Sequence, residues 1–597
     1  MTDTKQFLSG NEAIARGALA AGCTVATAYP GTPSSEILET LATSKDGIYC
    51  EWSVNEKVAM EVAIGASFAG ARALCTMKHV GLNVASDPLM TLSYVGVNGG
   101  LVVVTADDPG MHSSQNEQDN RFYARFAKVP LLEPADSQEA FDMTVAAFEI
   151  SERFDTPVIV RTTTRTSHSS GIVDLGAVGP APRVERPYSK RVEKTVMVPM
   201  YARQRRLAVE ERTERLREFA EICGFNRVEP GNGDLGFITS GISYQYVKEV
   251  FPEASVLKLG FTNPLPRAMI AEFAGSVKRL YVIEELDPFL EEQVRAMGIT
   301  VEDHAVGLHI GELSPSRLGQ LRAEILGQPA PIIVGRGGGE GLPARPPVLC
   351  AGCGHRGVFY VLNKLKVTVT GDIGCYTLAM SKPLEAMDSC ICMGASIGDA
   401  HGFEKAGHRG RVAAVIGDST FFHSGITGLL NIVYNRGTST VIVLDNRTTA
   451  MTGHQDHPGT GRTLMGQATQ EISIEQVARG VGVERVRTVQ SYDLDDVERV
   501  LAEELDAPEP SVVVARQPCL ISARAAIRRQ FAVGAEACRA CRACLRLGCP
   551  AIELGDPLPG KPKQRRVKIN RVLCAGCGMC CQVCTHGAIS EVVLETA

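Results

Sequence analysis

The sequence lacks the features of a membrane, secreted or nucleic-acid-binding protein. No apolar run reaches the roughly 20 residues that a membrane-spanning helix needs. The first residues contain no basic region followed by an apolar stretch, so we expect no signal peptide and a cytoplasmic location. The formal net charge is only −6 over 597 residues, which predicts no general nucleic-acid footprint.

The cysteines are unevenly distributed. Nine of the 19 lie between Cys538 and Cys584, mostly in Cys-x-x-Cys spacing. A long cytosolic chain with such a cluster is typically metal-binding rather than cross-linked by disulfides. The length allows three to five domains of about 150 residues each.

Alternating strand-like and helix-like segments predict α/β domains with parallel sheets. Buried-strand patterns occur at residues 24–29, 101–105, 235–239 and 279–283, and helical spacing at 55–69. We expect α/β units at 1–180, 226–340 and 341–530, a linker with a surface helix at 181–225, and a small domain at 531–597. A glycine-rich stretch at 334–339 lacks the Gly-Lys-Ser/Thr ending of a phosphate loop and is interpreted as a linker.

Two cysteine runs near the end form an internal repeat. They are Cys538-x2-Cys541-x2-Cys544-x4-Cys549 and Cys574-x2-Cys577-x2-Cys580-x3-Cys584. In two-cluster ferredoxins, which these runs resemble, the last cysteine of each run serves the other cluster. One [4Fe–4S] cluster would then be bound by Cys538, Cys541, Cys544 and Cys584, and the other by Cys574, Cys577, Cys580 and Cys549.

The repeat departs from the ferredoxin pattern in two places. Four residues precede Cys549 instead of three, and Thr585 follows Cys584 where proline is usual. Cys581 has the wrong spacing for a ligand, and we expect a free thiol. Two zinc sites are the alternative interpretation. The basic segment 561–568 is either a plain surface loop or a docking site for an acidic electron carrier.

A strand–helix–strand pattern spans residues 411–416, 425–434 and 440–444. It places Asp418 and Asn446 at the carboxyl ends of neighbouring strands, where open α/β sheets bind ligands. Gly417 would let the backbone approach a phosphate at a helix start, and Mg²⁺ suits a site with few protein oxygens and two phosphate oxygens.

The Gly417-Asp418 to Asn446 separation resembles the signature of thiamine-diphosphate enzymes. That resemblance implies Asp418, Asn446 and the backbone carbonyl of Thr448 as Mg²⁺ ligands. Five segments together resemble α subunits of indolepyruvate:ferredoxin oxidoreductases, which are thiamine-diphosphate-dependent 2-oxoacid:ferredoxin oxidoreductases, and with the tail the similarity covers essentially the whole chain. The segments are Cys350-Ala-Gly-Cys-Gly-His355, Gly371-Asp-Ile-Gly-Cys-Tyr-Thr377, Cys392-Met-Gly-Ala-Ser-Ile-Gly398, Gly417-Asp-Ser-Thr-Phe-Phe-His-Ser-Gly425 and Leu444-Asp-Asn-Arg-Thr-Thr-Ala-Met-Thr-Gly-His-Gln455.

The resemblance implies a role for each domain. Residues 1–180 would bind the cofactor's pyrimidine, 226–340 would be transketolase C-terminal-like, 341–530 would bind the diphosphate and Mg²⁺, and 531–597 would be ferredoxin-like. The implied cofactor-binding residues are Cys353, His355, Asp372, Cys375, Met393, Gly417, Asp418, Ser419, Asn446, Thr448 and Met451. Alternatively, Cys350, Cys353 and His355 form a zinc half-site that Cys375 or Cys390 completes. Many relatives carry prolines where this chain has Ala351 and Gly354.

Thiamine catalysis requires a carboxylate at the far pyrimidine nitrogen. Residues 55–67 resemble the family helix that carries it, which implies Glu56, with Glu61 as the fallback; either could instead be an ordinary surface glutamate. The segment 29–36 resembles a family motif whose threonine, here Thr32, meets the substrate carboxylate. Lys78, His79 and His112 are candidates for carboxylate binding or proton transfer, or are structural residues.

The family reaction would be oxidative decarboxylation of a 2-oxoacid to its coenzyme A thioester, with electrons passing through the clusters to ferredoxin. Pyruvate-specific relatives carry asparagine where this chain has Met451, so we expect an aryl substrate of the indolepyruvate or phenylpyruvate type, or another bulky one. A smaller β subunit, in an α2β2 assembly, is the expected partner. A non-redox thiamine decarboxylase and an electron-transfer or assembly protein on a degenerate scaffold are alternatives. The first would not need the cysteine tail, and the second would be expected to lose Glu56 or Asp418.

Overall fold

The computed structural model describes residues 4–44, 47–176, 188, 190–304, 309–329, 346–523 and 529–592. The chain divides into two compact units, Met1–Glu340 and Gly341–Ala597. The predicted glycine-rich linker at 334–339 lies outside the described residues. No helix in the described ranges is long and apolar enough to cross a membrane.

The first unit alternates strands and helices. Its strands are β1 (Lys5–Ser9), β2 (Val25–Ala28), β3 (Tyr49–Trp52), β4 (Ala73–Lys78), β5 (Leu101–Asp107), β6 (Leu131–Leu132), β7 (Val158–Thr163), β8 (Ser170–Asp174), β9 (Arg227–Glu229), β10 (Leu235–Ser240), β11 (Ser255–Leu259), β12 (Phe261–Asn263) and β13 (Arg279–Ile283). Its helices are α1 (Gly10–Ala20), α2 (Ser35–Ala42), α3 (Glu56–Phe68), α4 (His79–Val84), α5 (Ser86–Val95), α6 (Arg121–Ala127), α7 (Ser137–Phe154), α8 (Thr164–His168), α9 (Val192–Thr195), α10 (Pro199–Ala220), α11 (Gly241–Val250), α12 (Arg267–Gly275), α13 (Phe289–Ala296) and α14 (Pro315–Leu326).

Two sheets organise this unit. The larger has the order β12-β6-β7-β5-β4-β2-β3 and is parallel except at β12; the smaller has the order β13-β10-β11-β9 and is parallel except at β9. Every residue of β5 and β7 is buried, as expected for parallel strands covered on both faces. The strands predicted at 24–29, 101–105, 235–239 and 279–283 are confirmed.

The helix predicted at 55–69 is confirmed as α3. Asn55 caps it, because its side chain accepts a hydrogen bond from the backbone N–H of Val58 at 2.9 Å. The surface helix predicted within 181–225 is α10. This helix is anchored by Arg212, whose buried guanidinium donates to the carbonyls of Asp155 and Ser93 at 2.8 and 2.6 Å.

The second unit is built on one fully parallel sheet with the order β15-β14-β16-β17-β19-β18. Its strands are β14 (Thr368–Gly371), β15 (Ser389–Cys390), β16 (Val412–Gly417), β17 (Thr440–Asp445), β18 (Arg485–Gln490), β19 (Ser511–Arg516), β20 (Gln530–Val533), β21 (Ile552–Leu558), β22 (Lys561–Ile569) and β23 (Ile589–Val592). Its helices are α15 (His355–Leu365), α16 (Ala395–Lys405), α17 (Asp418–Thr420), α18 (Ile426–Tyr434), α19 (Ile474–Gly480), α20 (Leu494–Leu505), α21 (Leu520–Ala523) and α22 (Met579–Val583). The predicted strand–helix–strand pattern is confirmed as β16, α18 and β17.

The cysteine-rich tail is a small β layer. Strand β20 pairs antiparallel with β23, and β21 pairs antiparallel with β22. One cysteine run lies between β20 and β21 and the other between β22 and β23, so the sequence repeat is also a structural repeat. The tail is fixed to the parallel sheet domain through Gln582, which accepts from the backbone N–H of Leu494 and donates to the carbonyl of Tyr492.

A buried ion network connects the two sheets of the first unit. Arg121, at the start of α6, donates to Asp119 at 2.5 Å and to Glu284, beyond the end of β13, at 2.6 Å. All three side chains are almost completely buried. Removing one member of such a network leaves an uncompensated charge in the interior, which is costly.

We therefore expect Arg121→Met to destabilise the first unit by about 3–5 kcal/mol, the usual cost of breaking a buried ion pair. Thermal unfolding measured by circular dichroism checks it, and the midpoint should fall by several degrees. Lys57→Met is the matched control, since Lys57 pairs with Glu61 on the exposed face of α3 and should leave the midpoint unchanged. Equal midpoints for both variants would contradict the role of the network.

Candidate active site

Two neighbouring parallel strands deliver polar side chains to the same edge. In the ladder between β16 and β17, Gly417 is paired with Leu444, so both strands end at one level. Asp418 follows the first strand and Asn446 follows the second. The predicted placement of these two residues at strand carboxyl ends is thereby confirmed.

Asp418 is 2% exposed, and three donors surround its carboxylate. The backbone N–H groups of Ser419 and Arg447 donate to it at 2.9 and 2.7 Å, and Nε2 of His457 lies 3.2 Å away. The backbone N–H of Gly459 donates to Nδ1 of His457 at 3.1 Å, which leaves Nε2 as the ring nitrogen that donates to Asp418. Burial alone would raise the pKa of Asp418, but the His457 imidazole and the two backbone donors outweigh it and lower that pKa.

His355 closes the other side of this edge. Its Nε2 lies 3.4 Å from Nδ2 of Asn446, and its ring meets that of Tyr376 edge to face at 5.8 Å. Burial lowers the pKa of His355 to about 4, although Asp418 opposes the shift, so the ring is neutral near pH 7. The structure thus brings together the predicted residues His355, Asp418 and Asn446.

The neighbouring loop residues shape the backbone around Asp418. A Cβ on Gly417 would lie 2.8 Å from the Tyr376 ring, so only glycine fits there. Oγ1 of Thr449 donates to Oγ of Ser419 at 2.9 Å, and the backbone N–H of Thr448 donates to Oδ1 of Asn446 at 3.0 Å. The oxygens of Asp418, Asn446 and the Thr448 carbonyl are the kind of ligand that Mg²⁺ prefers, so the donor set fits a magnesium diphosphate.

The remaining predicted cofactor residues lie before α15 (Cys353), between β14 and α16 (Asp372, Cys375 and Met393) and after β17 (Met451). Asp372 is fully buried and accepts from the backbone N–H groups of Ile373, Gly394 and Ser396, which fixes the loop that contains Met393. Burial raises the pKa of Asp372 to about 6 and that of the Cys353 thiol to about 12. Cys375 is half-buried, whereas Met451 is exposed. Contacts of these residues with a cofactor stay predictions.

The tail contains two cavities, and each is lined by one predicted cysteine quartet. Cys538, Cys541, Cys544 and Cys584 line one, and Cys549, Cys574, Cys577 and Cys580 line the other. Cys581 lines neither of these cavities. A [4Fe–4S] cluster binds each cysteine through a separate iron, so four thiols around a common space fit it.

The zinc alternatives concern the tail and the 350–355 loop. In the described part of the chain, no three side chains of His, Cys, Asp or Glu are grouped closely enough to hold one metal ion. This finding covers both cysteine quartets, so it does not decide between zinc and iron–sulfur clusters in the tail. At the predicted zinc half-site of Cys350, Cys353 and His355, the His355 ring faces Asn446.

The cavity lined by Cys549, Cys574, Cys577 and Cys580 adjoins the 350–355 loop. A Cβ on Gly352 would lie 2.6 Å from Cβ of Ala575, and Gly352 itself lines this cavity. The hydroxyl of Tyr492 donates to the Gly352 carbonyl at 2.5 Å and holds the loop there. One wall therefore separates this cysteine quartet from the loop that ends in His355.

In the first unit, burial distinguishes the two candidate glutamates. Glu56 opens α3 and is 6% exposed, and a Cβ on Gly81 would lie 2.7 Å from its carboxylate oxygen. Glu61 is exposed and forms an ion pair with Lys57. A desolvated carboxylate is the kind that enzymes use, which favours Glu56 over Glu61.

Lys78 lies close to Glu56 and to the loop that contains Thr32. A Cβ on Gly31 would lie 3.0 Å from Cβ of Lys78, and the Lys78 ammonium donates to the carbonyl of Ser113. Burial lowers the pKa of Lys78 to about 8, while Asp108 and Glu56 oppose that shift. Thr32, Lys78 and Glu56 thus belong to one polar neighbourhood.

The two candidate histidines differ in position. His79 is fully buried, with Nε2 3.3 Å from Oδ1 of Asn116, and burial lowers its pKa to about 4. His112 is half exposed, and its Nε2 lies 3.6 Å from Glu312. Their predicted catalytic roles stay predictions, and the geometry of His112 suits a surface ion pair.

Sequence reasoning missed two residues of the second unit. His457 contacts Asp418 from a loop 39 positions away, and no spacing signal marks it. Arg356 follows the predicted His355 and is 2% exposed, and a charged residue in the otherwise apolar start of α15 was the available signal.

Comparison with known proteins places the chain in a family. Residues 372–515 match the model "Thiamine pyrophosphate enzyme, C-terminal TPP binding domain", and residues 16–214 match "Pyruvate flavodoxin/ferredoxin oxidoreductase, thiamine diP-bdg". Indolepyruvate oxidoreductase subunit IorA of Archaeoglobus fulgidus is 42% identical over 98% of this chain and 97% of its own. The chain belongs to the IorA family. It is an oxidoreductase of the 2-oxoacid:ferredoxin type with thiamine-diphosphate-binding domains, and the resemblance seen in the sequence is confirmed.

A second curated relative agrees with this membership, and one solved structure shows a weaker similarity. The IorA subunit of Pyrococcus abyssi is also 42% identical, over 98% of this chain and 97% of its own. A solved structure, 2-oxoglutarate:ferredoxin oxidoreductase from Magnetococcus marinus with 2-oxoglutarate, coenzyme A and succinyl-CoA bound, has a TM-score of 0.46 and 19% identity, over 54% of this chain and 65% of that chain.

Replacement of Asp418 tests the diphosphate edge. Because Asp418 is the buried carboxylate there, we expect Asp418→Asn to weaken binding of thiamine diphosphate with Mg²⁺ at least about tenfold, the usual scale for damage to a metal site. Isothermal titration calorimetry measures this affinity directly. Asp506→Asn is the control, since Asp506 forms an exposed ion pair with Arg411 in the same unit. Unchanged affinity in Asp418→Asn would place the cofactor elsewhere.

Proposed function

We propose that this chain is the α subunit that decarboxylates an aryl 2-oxoacid oxidatively, to the coenzyme A thioester, and passes the electrons through two [4Fe–4S] clusters to ferredoxin. One observation carries the proposal. A single compact unit joins the Asp418–Asn446 edge to two cavities, each lined by four cysteines. A decarboxylase without redox chemistry does not need the two cysteine-lined cavities.

The cofactor set is thiamine diphosphate, Mg²⁺ and two [4Fe–4S] clusters. Asp418, Asn446 and the Thr448 carbonyl hold Mg²⁺, while Gly417 and Ser419 lie against the diphosphate. When bound, thiamine diphosphate would supply the nucleophilic carbon for this chemistry. The contacts of Cys353, His355, Asp372, Cys375, Met393 and Met451 with the cofactor belong to the same proposal.

The residues of the first unit have separate proposed roles. Glu56 activates the cofactor, because a buried carboxylate can hydrogen-bond the pyrimidine nitrogen. Thr32 positions the substrate carboxylate, and the neighbouring Lys78 ammonium adds a positive charge that favours an anionic substrate. His79 and His112 remain candidates for proton transfer.

The aryl substrate rests on two facts. The relatives are named indolepyruvate oxidoreductases, and Met451, which replaces the asparagine of pyruvate-specific enzymes, is an apolar and adaptable side chain. Those relatives are also named as a subunit, which supports a smaller β subunit as partner, in an α2β2 assembly.

Cluster bleaching tests the proposed reaction. The anaerobically purified chain with its β subunit is mixed with thiamine diphosphate, Mg²⁺ and indolepyruvate, phenylpyruvate or pyruvate, with and without coenzyme A. Arylpyruvates should bleach the visible absorbance of the clusters, and bleaching should require thiamine diphosphate. Glu56→Gln should slow bleaching about 100-fold or more, as loss of an acid–base group does, whereas the exposed Glu61→Gln should not.

Two results would contradict this proposal. Clusters that stay oxidised with every 2-oxoacid, despite full iron content, would assign the thiamine site to another reaction. Faster bleaching with pyruvate than with arylpyruvates would retain the reaction class and remove the aryl specificity.

The acceptor is proposed to be an acidic ferredoxin that docks on the β21–β22 hairpin. The side chains of Lys561, Lys563 and Arg565 are exposed on this hairpin. Val567 of the same hairpin lines the cavity that contains Cys541, which is itself exposed. Arg539 and Arg542 border that cavity and are also exposed, so a positively charged face surrounds it.

Charge reversal tests this docking surface. The triple variant Lys561→Glu, Lys563→Glu, Arg565→Glu should reduce ferredoxin about tenfold more slowly at low salt, since electrostatic steering is lost. Its rate should also depend less on ionic strength. Stopped-flow absorbance gives both quantities. Reduction of methyl viologen, a cation that needs no basic docking face, is the control and should not fall. Equal loss with both acceptors would indicate damaged clusters instead.

A further inference from the structure

Arg356 is a buried cation whose surroundings are unusual. It is the second residue of α15, and its side chain is 2% exposed. Its terminal nitrogens donate to three backbone carbonyls, those of Leu547 at 2.6 Å, Leu349 at 2.5 Å and Cys350 at 3.1 Å. Its Nε has no hydrogen-bond partner among the described residues.

No carboxylate balances this charge within the described residues. Arg121 and Arg161 of the first unit show the contrast, because Arg121 contacts Asp119 and Glu284, and Arg161 contacts Asp107 and Glu133. Buried Arg212, like Arg356, donates to backbone carbonyls, but it does not line a cysteine cavity. A buried charge without an opposite charge is costly. A negative group near the Arg356 guanidinium would therefore reduce the cost of burying its charge.

Within the described residues, cysteine thiols are the groups near Arg356 that oppose the effect of its burial. Arg356 lines the cavity formed by Cys549, Cys574, Cys577 and Cys580. The terminal nitrogen that reaches Leu547 also lies beside Gly548, where an added Cβ would be 3.2 Å away. Iron–sulfur clusters with thiolate ligands carry net negative charge, and that charge increases by one on reduction.

We propose that Arg356 is the buried counter-charge of the [4Fe–4S] cluster bound by Cys549, Cys574, Cys577 and Cys580, and that it raises the reduction potential of this cluster. The inference rests on the proposed clusters and goes beyond them. A desolvated cation stabilises the reduced, more negative state more than the oxidised one. The cluster next to the 350–355 loop is thereby the better electron acceptor.

No buried cation is found among the described residues that line the second cavity. Its arginines, Arg539 and Arg542, are exposed to solvent, where water and salt screen their charge. The effect of Arg356 is therefore specific to one of the two clusters. That asymmetry provides the signature to be measured.

The test is an anaerobic potentiometric titration of the full chain, with each cluster followed by electron paramagnetic resonance. Three variants are compared with the unmodified protein. Arg356→Met removes the charge and retains an apolar stem, Arg356→Lys retains the charge, and Arg546→Met removes an exposed arginine that lines neither cavity. Iron and acid-labile sulfide are measured in every sample.

In Arg356→Met, one midpoint should shift to lower potential and the other should not move. We expect at least a tenfold fall in the ratio of reduced to oxidised cluster at fixed potential, which equals about 59 mV for a one-electron couple. Arg356→Lys should retain most of the original midpoint, and Arg546→Met all of it.

Several outcomes overturn the inference. Unchanged midpoints at full iron content would remove the electrostatic role, and equal shifts of both clusters would remove its specificity. A purely structural role would lower iron content in both Arg356 variants and leave the midpoint of the remaining clusters unchanged. If the unmodified protein contained no iron and sulfide, the proposed clusters themselves would be refuted. Iron analysis therefore separates failure of the proposed function from failure of the Arg356 inference.

Discussion

The second unit depends on one constraint, the parallel register of β16 and β17. Because Gly417 pairs with Leu444, the two strands end together, and the next residues leave the sheet side by side. Asp418 then receives the backbone N–H of Arg447 from the neighbouring strand end. A shift of the β16–β17 register by one residue would turn these side chains to the opposite faces of the sheet and separate the residues of the site.

Buried charge is treated differently in structural and functional regions of the molecule. Arg121 and Arg161 each contact two carboxylates, so opposite side-chain charges face both cations. Asp418 is held by two backbone donors and His457, and Arg356 by carbonyls alone. Arg212 of the first unit is also held by carbonyls, so what distinguishes Arg356 is its place in the wall of a cysteine cavity, where a bound group would supply the opposite charge.

Local patterns in the sequence predicted much of this arrangement. The strands 235–239 and 279–283 were identified because buried parallel strands are continuous apolar runs, and the cysteine quartets because the crossing rule depends on spacing alone. Strand β12 has only three residues, and its pairing with β6 is set by tertiary packing that no local pattern encodes. His457 likewise required the three-dimensional structure. The family resemblance implied Glu56 with Glu61 as the fallback, and burial supports that order. Helical spacing placed both glutamates on α3 but could not distinguish the buried end from the exposed face.

The close approach of Gly352 and Ala575 gives the parallel-sheet domain and the cysteine-rich tail a common wall. The 350–355 loop ends in His355 and Arg356, so consecutive residues face the Asp418–Asn446 edge and the cysteine cavity. Consecutive residues at a helix start can face two different sites, because their side chains leave a rigid backbone in different directions. The rate of electron transfer falls steeply with distance. A thin and rigid wall would keep the distance between the proposed cofactor and cluster short without a conformational change. In the proposed reaction, the motif Cys350-Ala-Gly-Cys-Gly-His355 would connect the thiamine site and the cluster through one short stretch of backbone.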